Sequence, residues 1–307
     1  MRALINKIIQ KVEKLPTIST VAFEVIRLCS DKEVPIPKLV KIIAGDQSLT
    51  SQILKVANSS YFNYPRTIYS LDRAIIILGF NLLRDISVSL AVFSLFKGFK
   101  TKNYDLLRNI WRHSLYTGIS CKVLAQNYEP ESKENLYIGG LLHDIGKLVL
   151  ITTMGKDYDL LIEKAEQETI SMVELESKFL GVNHSEVGAG LIELWNLPES
   201  LVSIAKFHHC PREYRSQDKI SRWIQLVYLG DIFAHLLESK QNDTKDLIRL
   251  YPDFQNNFSL AKSEIGQMLE EIKSDIDRIY IDLVNASKGI IELRKKLTRG
   301  ENDEKQK

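Results

Sequence analysis

The 307-residue chain has little net charge and no stretch of about 18 consecutive apolar residues. Its 41 basic and 39 acidic residues leave a formal charge of +2, so no general electrostatic attraction to nucleic acid or to an anionic membrane is expected. The missing apolar run argues against a membrane-spanning helix. We therefore expect a soluble protein without a membrane partner.

Cysteine is also scarce. Cys29, Cys121 and Cys210 lie far apart and form no CxxC pair, which argues against a disulfide framework or a zinc knuckle. The first sixteen residues have helical spacing and no small-residue cleavage site, so they read as a first helix and not as a signal peptide. These features favour a cytoplasmic location.

Alternating strand patterns are scarce too, whereas helical periodicity and helix stop signals recur along the chain. The sequence therefore predicts an all-α fold. Pro37 and Gly45 bracket one short helix, and Asp46 is placed to cap the next. Ser70 or Asp72 could start a further helix that stops at Gly79.

Three regions follow from the breaks in this pattern. Residues 1–99 form an N-terminal helical part, and residues 104–239 form a second bundle that carries every histidine. Residues 245–307 form a C-terminal extension, in which apolar residues from 265 to 297 alternate spacings of four and three. Such a seam predicts a long heptad helix, which either mediates self-association or docks on its own domain.

The second bundle contains an ordered series of histidine and aspartate residues. Its members are His113, His143, Asp144, His184, His208, His209 and Asp231. Asp144 and Asp231 lie inside apolar segments, LYIGGLLHDIGKLVL and LVYLGDIFAHLL, where a bare carboxylate would be strongly disfavoured. A divalent metal shared by the two carboxylates would compensate their charge.

The side chains of this series suit a transition metal. His113, His143, Asp144 and Asp231 would supply four ligands from three helices, a mixture that fits iron, manganese, zinc or cobalt better than calcium. His208 and His209 are neighbours and would point about 100° apart on a helix. They predict two ions, or one ligand and one substrate contact, unless the backbone turns there.

Three residues in this region, one of them a member of the series, need separate interpretation. His184 follows Gly181 and Asn183 at the start of a predicted helix, where it could project into a cleft and bind a second ion. Lys147 is either a surface cation or a phosphate-binding group, and we favour the second. His235 reads only as an ordinary structural histidine.

The string GLLHDIGK at residues 140–147 resembles the HD superfamily of metal-dependent phosphohydrolases, and the rest of the chain resembles the HDOD family within it. The resemblance covers about residues 15–237. It is carried by LPTIS at 15–19, ILKVANSSYF at 53–62, the 74–79 run, WRHS at 111–114, LGVNHSEVGAGLIELWNLP at 180–198 and HHCP at 208–211.

The resemblance implies a multi-helix HD-type bundle and a bacterial signal-transduction or regulatory module, generally regarded as non-catalytic. It also implies which side chains bind metal. One ion would take His113, His143, Asp144 and Asp231, and a second would add His184, His208 and His209. The chain reads HHCPREYRSQDK after the histidine pair, without the GYP signature of the cyclic-di-GMP phosphodiesterases.

Two functions are therefore expected as alternatives. The first is a regulatory module with a retained metal or ligand site, coupled by its heptad helix to a signalling partner or to a second copy. The second is a metal-dependent phosphohydrolase acting on a nucleotide or another phosphoester, in which Asp144 bridges ions or orients the water and Lys147 holds a phosphate oxygen. Nucleic-acid binding is a distant third, because no concentrated basic recognition face accompanies the helix pairs.

Overall fold

In a computed structural model, the chain is described over residues 2–11, 20–29, 35–58, 65–98, 104–168, 170–238 and 264–277. Every regular element in these ranges is helical, which confirms the predicted all-α class. Two of the elements are short 3₁₀ turns, at Pro130–Ser132 and Pro211–Glu213.

The α-helices are numbered in chain order. They are α1 (Arg2–Lys11), α2 (Thr20–Cys29), α3 (Ile36–Ala44), α4 (Gln47–Ala57), α5 (Leu71–Leu78), α6 (Phe80–Gly98), α7 (Tyr104–Tyr128), α8 (Lys133–Leu142), α9 (Ile145–Met154), α10 (Lys156–Glu168), α11 (Met172–Leu180), α12 (His184–Leu194), α13 (Glu199–Phe207) and α14 (Lys219–Glu238). Residues 264–277 form a further helix.

Local signals set the ends of the N-terminal helices as predicted. The Asp46 side chain accepts a hydrogen bond from the Leu49 amide and caps α4, and the Ser70 side chain caps α5. Gly79 ends α5 with a φ of 76°, a conformation that favours glycine. Helices α2 to α6 pack on one another as a bundle.

The second bundle is built on α7, which packs against both α8 and α14, while α12 packs against α9 and α13. Helix α1 lies against α9 and α12, so its contacts cross from the N-terminal region into this bundle. The domain boundary predicted near residue 99 therefore stays a prediction. A single apolar core runs through both bundles.

Buried polar contacts join α6 to the second bundle. Asp85 of α6 forms an ion pair with Lys122 of α7, and Arg84 forms one with Glu134 of α8. Asp85 is only 2% exposed. Because a buried charge that loses its partner is costly, these pairs tie the two bundles together in one arrangement.

The first part of the predicted heptad seam is covered by the chain itself. Ile265, Ile272 and Ile276 are buried in the common core, and Leu269 packs against it. Residues 264–277 thus follow the docking alternative. Residues 278–297 lie outside the described part of the chain, so self-association through the remainder of the seam stays a prediction.

Within the described ranges, one segment has the length and composition of a membrane span. Residues 130–154 pass that test, although 83% of the apolar window is buried inside the protein. The pair α5 and α6 passes only as a single span bent by 118°. Burial of this kind is what the core helix of a water-soluble fold shows.

Replacing Ile272 with alanine is expected to lower the free energy of unfolding by roughly 2–5 kcal/mol, because the side chain is fully buried against the protein's own core. Exposed Lys273→Ala is the matched control and should change stability by about 0.5 kcal/mol at most. Denaturant unfolding of both variants measures the difference. Equal stabilities would contradict docking of this helix.

Candidate metal centre

The seven predicted site residues come from five places in the second bundle and converge on one point. His113 lies on α7, His143 and Asp144 lie between α8 and α9, His184 begins α12, His208 and His209 follow α13, and Asp231 lies on α14. Three groups of potential ligand atoms form there, each within 4.8 Å. Asp144 belongs to two of them, and the third consists of His113, His235 and Glu238.

Asp144 lies at the middle of the cluster. Its Oδ1 is 3.2 Å from Nε2 of His184 and 3.6 Å from Nε2 of His208. Its Oδ2 is 3.4 Å from Nε2 of His143 and 4.0 Å from Nε2 of His113. The two carboxylate oxygens thus face different pairs of imidazoles.

The backbone between α8 and α9 explains how Asp144 reaches this position. The apolar run 136–150 is not one uninterrupted helix. Helix α8 ends at Leu142, and Asp144 leaves helical geometry with φ −99° and ψ 11° at the start of α9. The break turns the carboxylate inward, which an uninterrupted helix would not do for two adjacent residues.

The oxygen-rich half of the cluster contains His113, His143 and Asp231. Nε2 of His113 lies 2.8 Å from Oδ1 of Asp231, and Nε2 of His143 lies 3.8 Å from the same oxygen. Asp231 is 4% exposed and His143 is fully buried. With Asp144, this half offers two carboxylates and two imidazoles.

The nitrogen-rich half contains His184, His208 and His209 beside Asp144. Helix α13 ends at Phe207, so the two adjacent histidines lie where the backbone turns, and their ring centres are 4.0 Å apart. Nε2 of His209 is 2.9 Å from Nε2 of His184. The turn that the sequence left open is therefore present, and both histidines face the same half.

Backbone carbonyls fix the ring orientation of two histidines. Nδ1 of His143 donates to the Gly140 carbonyl at 2.7 Å, and Nδ1 of His208 donates to the Ala205 carbonyl at 2.8 Å. Because a carbonyl can only accept, Nδ1 carries the proton and Nε2 faces the cluster with a free lone pair. This is the tautomer that a metal ligand needs.

Carboxylates that sequence reasoning missed hold two further rings, those of His184 and His113. Nδ1 of His184 is 2.6 Å from Oε2 of Glu176, and Nδ1 of His113 is 2.9 Å from Oε2 of Glu238. A helical face with an acidic residue is ordinary, so the sequence carried no signal for either residue. Their role depends on the packing of α11 and α14 beside the site.

His235 also lies closer to the cluster than its structural reading implied. Its Nε2 is 3.4 Å from Oδ1 of Asp231, and its ring centre is 4.4 Å from that of His113. The side chain is 64% exposed. Lys147 forms an ion pair with Oδ2 of Asp144 and is one-fifth exposed, so it stands at the more open side of the centre.

The electrostatics favour ionised carboxylates and shift the pKa values of different histidines in opposite directions. Burial alone would raise the pKa of Asp144, but Lys147 and His143 outweigh it and hold that pKa well below its usual range. Burial, together with neighbouring histidines, lowers the pKa values of His208 and His209. Burial opposes the charge on His113 as well, yet its hydrogen bonds to Asp231 and Glu238 raise its pKa to about 9.

Three buried atoms of the cluster have no hydrogen-bond partner among the described residues. They are Nε2 of His143, Nε2 of His208 and Oδ1 of Asp144. Such atoms are costly when unsatisfied, and these three lie around a common point. The donor set of imidazoles and carboxylates is one that divalent transition metals bind, so the residues present fit a metal.

Close glycine contacts between helices bring these ligands together. Gly146 of α9 lies against α12 so closely that a methyl group there would overlap the carbonyl oxygen of His184. A methyl group on Gly140 of α8 would come within 2.8 Å of the Cα of Gly118 on α7. Glycine is needed at both crossings because the backbones themselves are in contact.

The HDOD domain family model matches residues 15–211, about two thirds of the chain. The chain belongs to the HDOD family. This confirms the resemblance seen in the sequence and agrees with the all-α bundle.

Two curated relatives of uncharacterised function match this HDOD chain. One, from Treponema pallidum, is 25% identical over 69% of the chain and 42% of its own length. The other, YuxH from Bacillus subtilis, is 30% identical over 38% of the chain and 28% of its own length. The chain therefore spans less than half the length of either relative.

Solved structures share the fold of the HDOD chain. An HDOD domain protein of unknown function from Geobacter sulfurreducens has a TM-score of 0.75 at 24% identity, covering 93% of this chain and 97% of its own. A protein from Shewanella amazonensis described as a candidate phosphohydrolase has a TM-score of 0.68 at 20% identity, covering 91% and 97%. A candidate signal transduction protein from Marinobacter aquaeolei has a TM-score of 0.70 at 18% identity, and the match covers 93% of this chain and 66% of that protein.

Gly146→Ala is expected to force α9 and α12 apart and to cost roughly 1–3 kcal/mol of stability or more, because backbone atoms occupy the space of the new methyl group. Gly266→Ala is the matched control, since nothing lies within 4 Å of that position. Removing a helical glycine there should stabilise the protein by about 0.5–1 kcal/mol. Thermal unfolding of both variants checks this, and a neutral Gly146→Ala would argue against the close crossing.

Proposed function

We propose that this chain is a metal-binding regulatory module of HDOD type, in which Asp144 bridges two divalent transition-metal ions. The observation that carries the proposal is the set of three unpaired buried atoms on His143, Asp144 and His208. Metal coordination would satisfy all three at once. Hydrogen bonding within the cluster leaves them unsatisfied.

One ion would be held by His113, His143 and Asp144, which form one group of ligand atoms, together with Asp231, whose Oδ1 lies 2.8 Å from Nε2 of His113. The other would be held by Asp144, His184, His208 and His209. The first set is richer in oxygen and the second in nitrogen. Iron, manganese, zinc and cobalt all accept such mixtures, and the second set suits zinc, iron or cobalt better than manganese.

A regulatory role is supported by the way the centre is enclosed and connected. His113, His143, Asp144, His184, His208 and Asp231 are all at most 7% exposed. Helix α8, which leads into His143, also carries Glu134, the partner of Arg84 in the N-terminal bundle. We infer that a change at the centre is passed through this ion pair to the N-terminal bundle, which would carry it to a signalling partner or a second copy.

A second candidate function is hydrolysis of a phosphoester such as a nucleotide, and Lys147 is the observation that favours it. Its ammonium group is partly exposed beside the proposed bridging carboxylate. Bound metal ions would lower the pKa of a water and polarise a phosphoryl oxygen. Lys147 would then donate to a phosphate oxygen, and Asp144 would orient the attacking water.

Elemental mass spectrometry of the tag-free protein, purified without added metal or chelator, should find two transition-metal ions per chain. Asp144→Asn keeps the shape of the side chain but removes its charge, and it should lose both ions. His143→Ala should lose the ion of the oxygen-rich half. Glu174→Gln is the control and should keep both, because Glu174 is exposed and belongs to none of the groups of ligand atoms found among the described residues. A wild-type protein that stays metal-free after reconstitution under reducing conditions would overturn the proposal.

Hydrolysis is tested with the metal-loaded chain against a panel of phosphomonoesters, nucleotides and cyclic dinucleotides. If the second candidate is right, Lys147→Met lowers kcat/KM at least about tenfold, as expected when a hydrogen bond to a charged phosphate worth about 1.5–3 kcal/mol is lost. Metal content should be unchanged in this variant. Absence of turnover by the loaded wild-type protein would leave the regulatory role alone.

A further inference from the structure

Four histidines of the centre are held through Nδ1, and they are held in two different ways. His143 and His208 each donate to a backbone carbonyl through Nδ1. His113 and His184 each face a glutamate through Nδ1 instead. Each half of the cluster therefore contains one histidine of each kind, and the glutamates are Glu238 in one half and Glu176 in the other.

Glu176 is completely buried and makes three contacts. Its Oε2 accepts from Nδ1 of His184 at 2.6 Å and from the His184 amide at 2.7 Å. Its Oε1 accepts from the Tyr158 hydroxyl. The glutamate therefore holds the ring and the backbone of the same histidine, and Tyr158 fixes the far end of the carboxylate.

Glu238 is less enclosed and shares its charge. Its Oε2 accepts from Nδ1 of His113 at 2.9 Å, and its Oε1 accepts from Nε of Arg112 at 2.8 Å. The side chain is 14% exposed, compared with 0% for Glu176. The guanidinium group of Arg112 and the nearby solvent both weaken the field that Glu238 exerts on the ring.

A carboxylate hydrogen-bonded to the outer nitrogen of a ligating histidine has two effects. It keeps the proton on Nδ1, which directs Nε2 to the ion, and it increases the electron density that Nε2 donates. Both effects are stronger where water is excluded. Glu176 should therefore act more strongly than Glu238.

We propose that Glu176 and Glu238 are positioning residues that set the affinity of the two metal sites, one glutamate for each site, with Glu176 the stronger. The inference rests on the proposed two-ion function. It assigns a role to two carboxylates that do not touch the ions themselves.

Glutamine substitutions separate this role from a merely structural one. Glu176→Gln can keep an acceptor for His184 and a partner for Tyr158, so the packing is preserved and only the charge is removed. Glu238→Gln can keep an acceptor for His113, but its amide nitrogen then faces Nε of Arg112, which can only donate, so this variant also loses the Arg112 contact. Glu174→Gln is the matched control, because Glu174 lies on the same helix as Glu176 and is exposed.

The full-length chain is stripped of metal and titrated with zinc in competition with a chelating dye, which yields two stepwise binding constants. Glu176→Gln should weaken one constant by about 10–100-fold and leave the other within about threefold. Glu238→Gln should weaken the other constant, by a smaller factor. Tyr158→Phe should weaken the same constant as Glu176→Gln, by less.

Cobalt supplies a second readout that folding alone would not move. The visible absorption of bound cobalt reports the ligand field, so Glu176→Gln should shift the band of one ion only. A variant that is merely destabilised would weaken both ions alike without shifting a band. Far-ultraviolet circular dichroism checks that each variant keeps its helices.

The possible results separate the proposed role of the two glutamates from the proposed two-ion centre. Two ions in the wild-type protein with Glu176→Gln indistinguishable from Glu174→Gln would overturn the inference and leave the metal centre intact. Equal weakening of both constants would assign the glutamates a structural role only. One ion in the wild type contradicts the pairing of a glutamate with each site, and no ion overturns both proposals.

Discussion

The burial of two carboxylates in the middle of a helical core is the constraint on which the rest of the structure depends. Asp144 and Asp231 are at most 4% exposed, and a bare charge in such a place is strongly unfavourable. The surrounding groups offset that cost in layers. Histidines face the carboxylates, backbone carbonyls and glutamates orient the histidines, and Tyr158 and Arg112 hold the glutamates.

Much of this could be predicted from the sequence because helices and buried polar residues leave local patterns. Asp46 and Ser70 were recognisable as N-terminal helix caps, and Gly79 as a helix stop. The apolar residues around His143 and Asp144 indicated that those buried polar groups need partners. The order of the histidines matched a known family. These signals were enough to predict the seven residues that the fold brings together in one cluster.

The remainder depended on how helices pack against one another, which periodicity does not encode. Glu176 and Glu238 were missed because a glutamate on an amphipathic helix normally faces water, and only the position of α11 and α14 turns them inward. His235 was interpreted as structural because its position beside Asp231 and His113 also arises only from helix packing. The break at Asp144 was missed because apolar residues continue across it, and the seam at 265–276 could equally have paired with another chain.

The residues of the cluster are far apart in the sequence, since His113 and Asp231 are separated by 118 positions. An ion held by both would bind the folded chain and not the unfolded one. At a free concentration one hundred times its dissociation constant, such an ion adds about 2.7 kcal/mol to the free energy of unfolding. The supply of that metal would then govern how long the chain survives proteolysis, so the abundance of the chain would report metal availability.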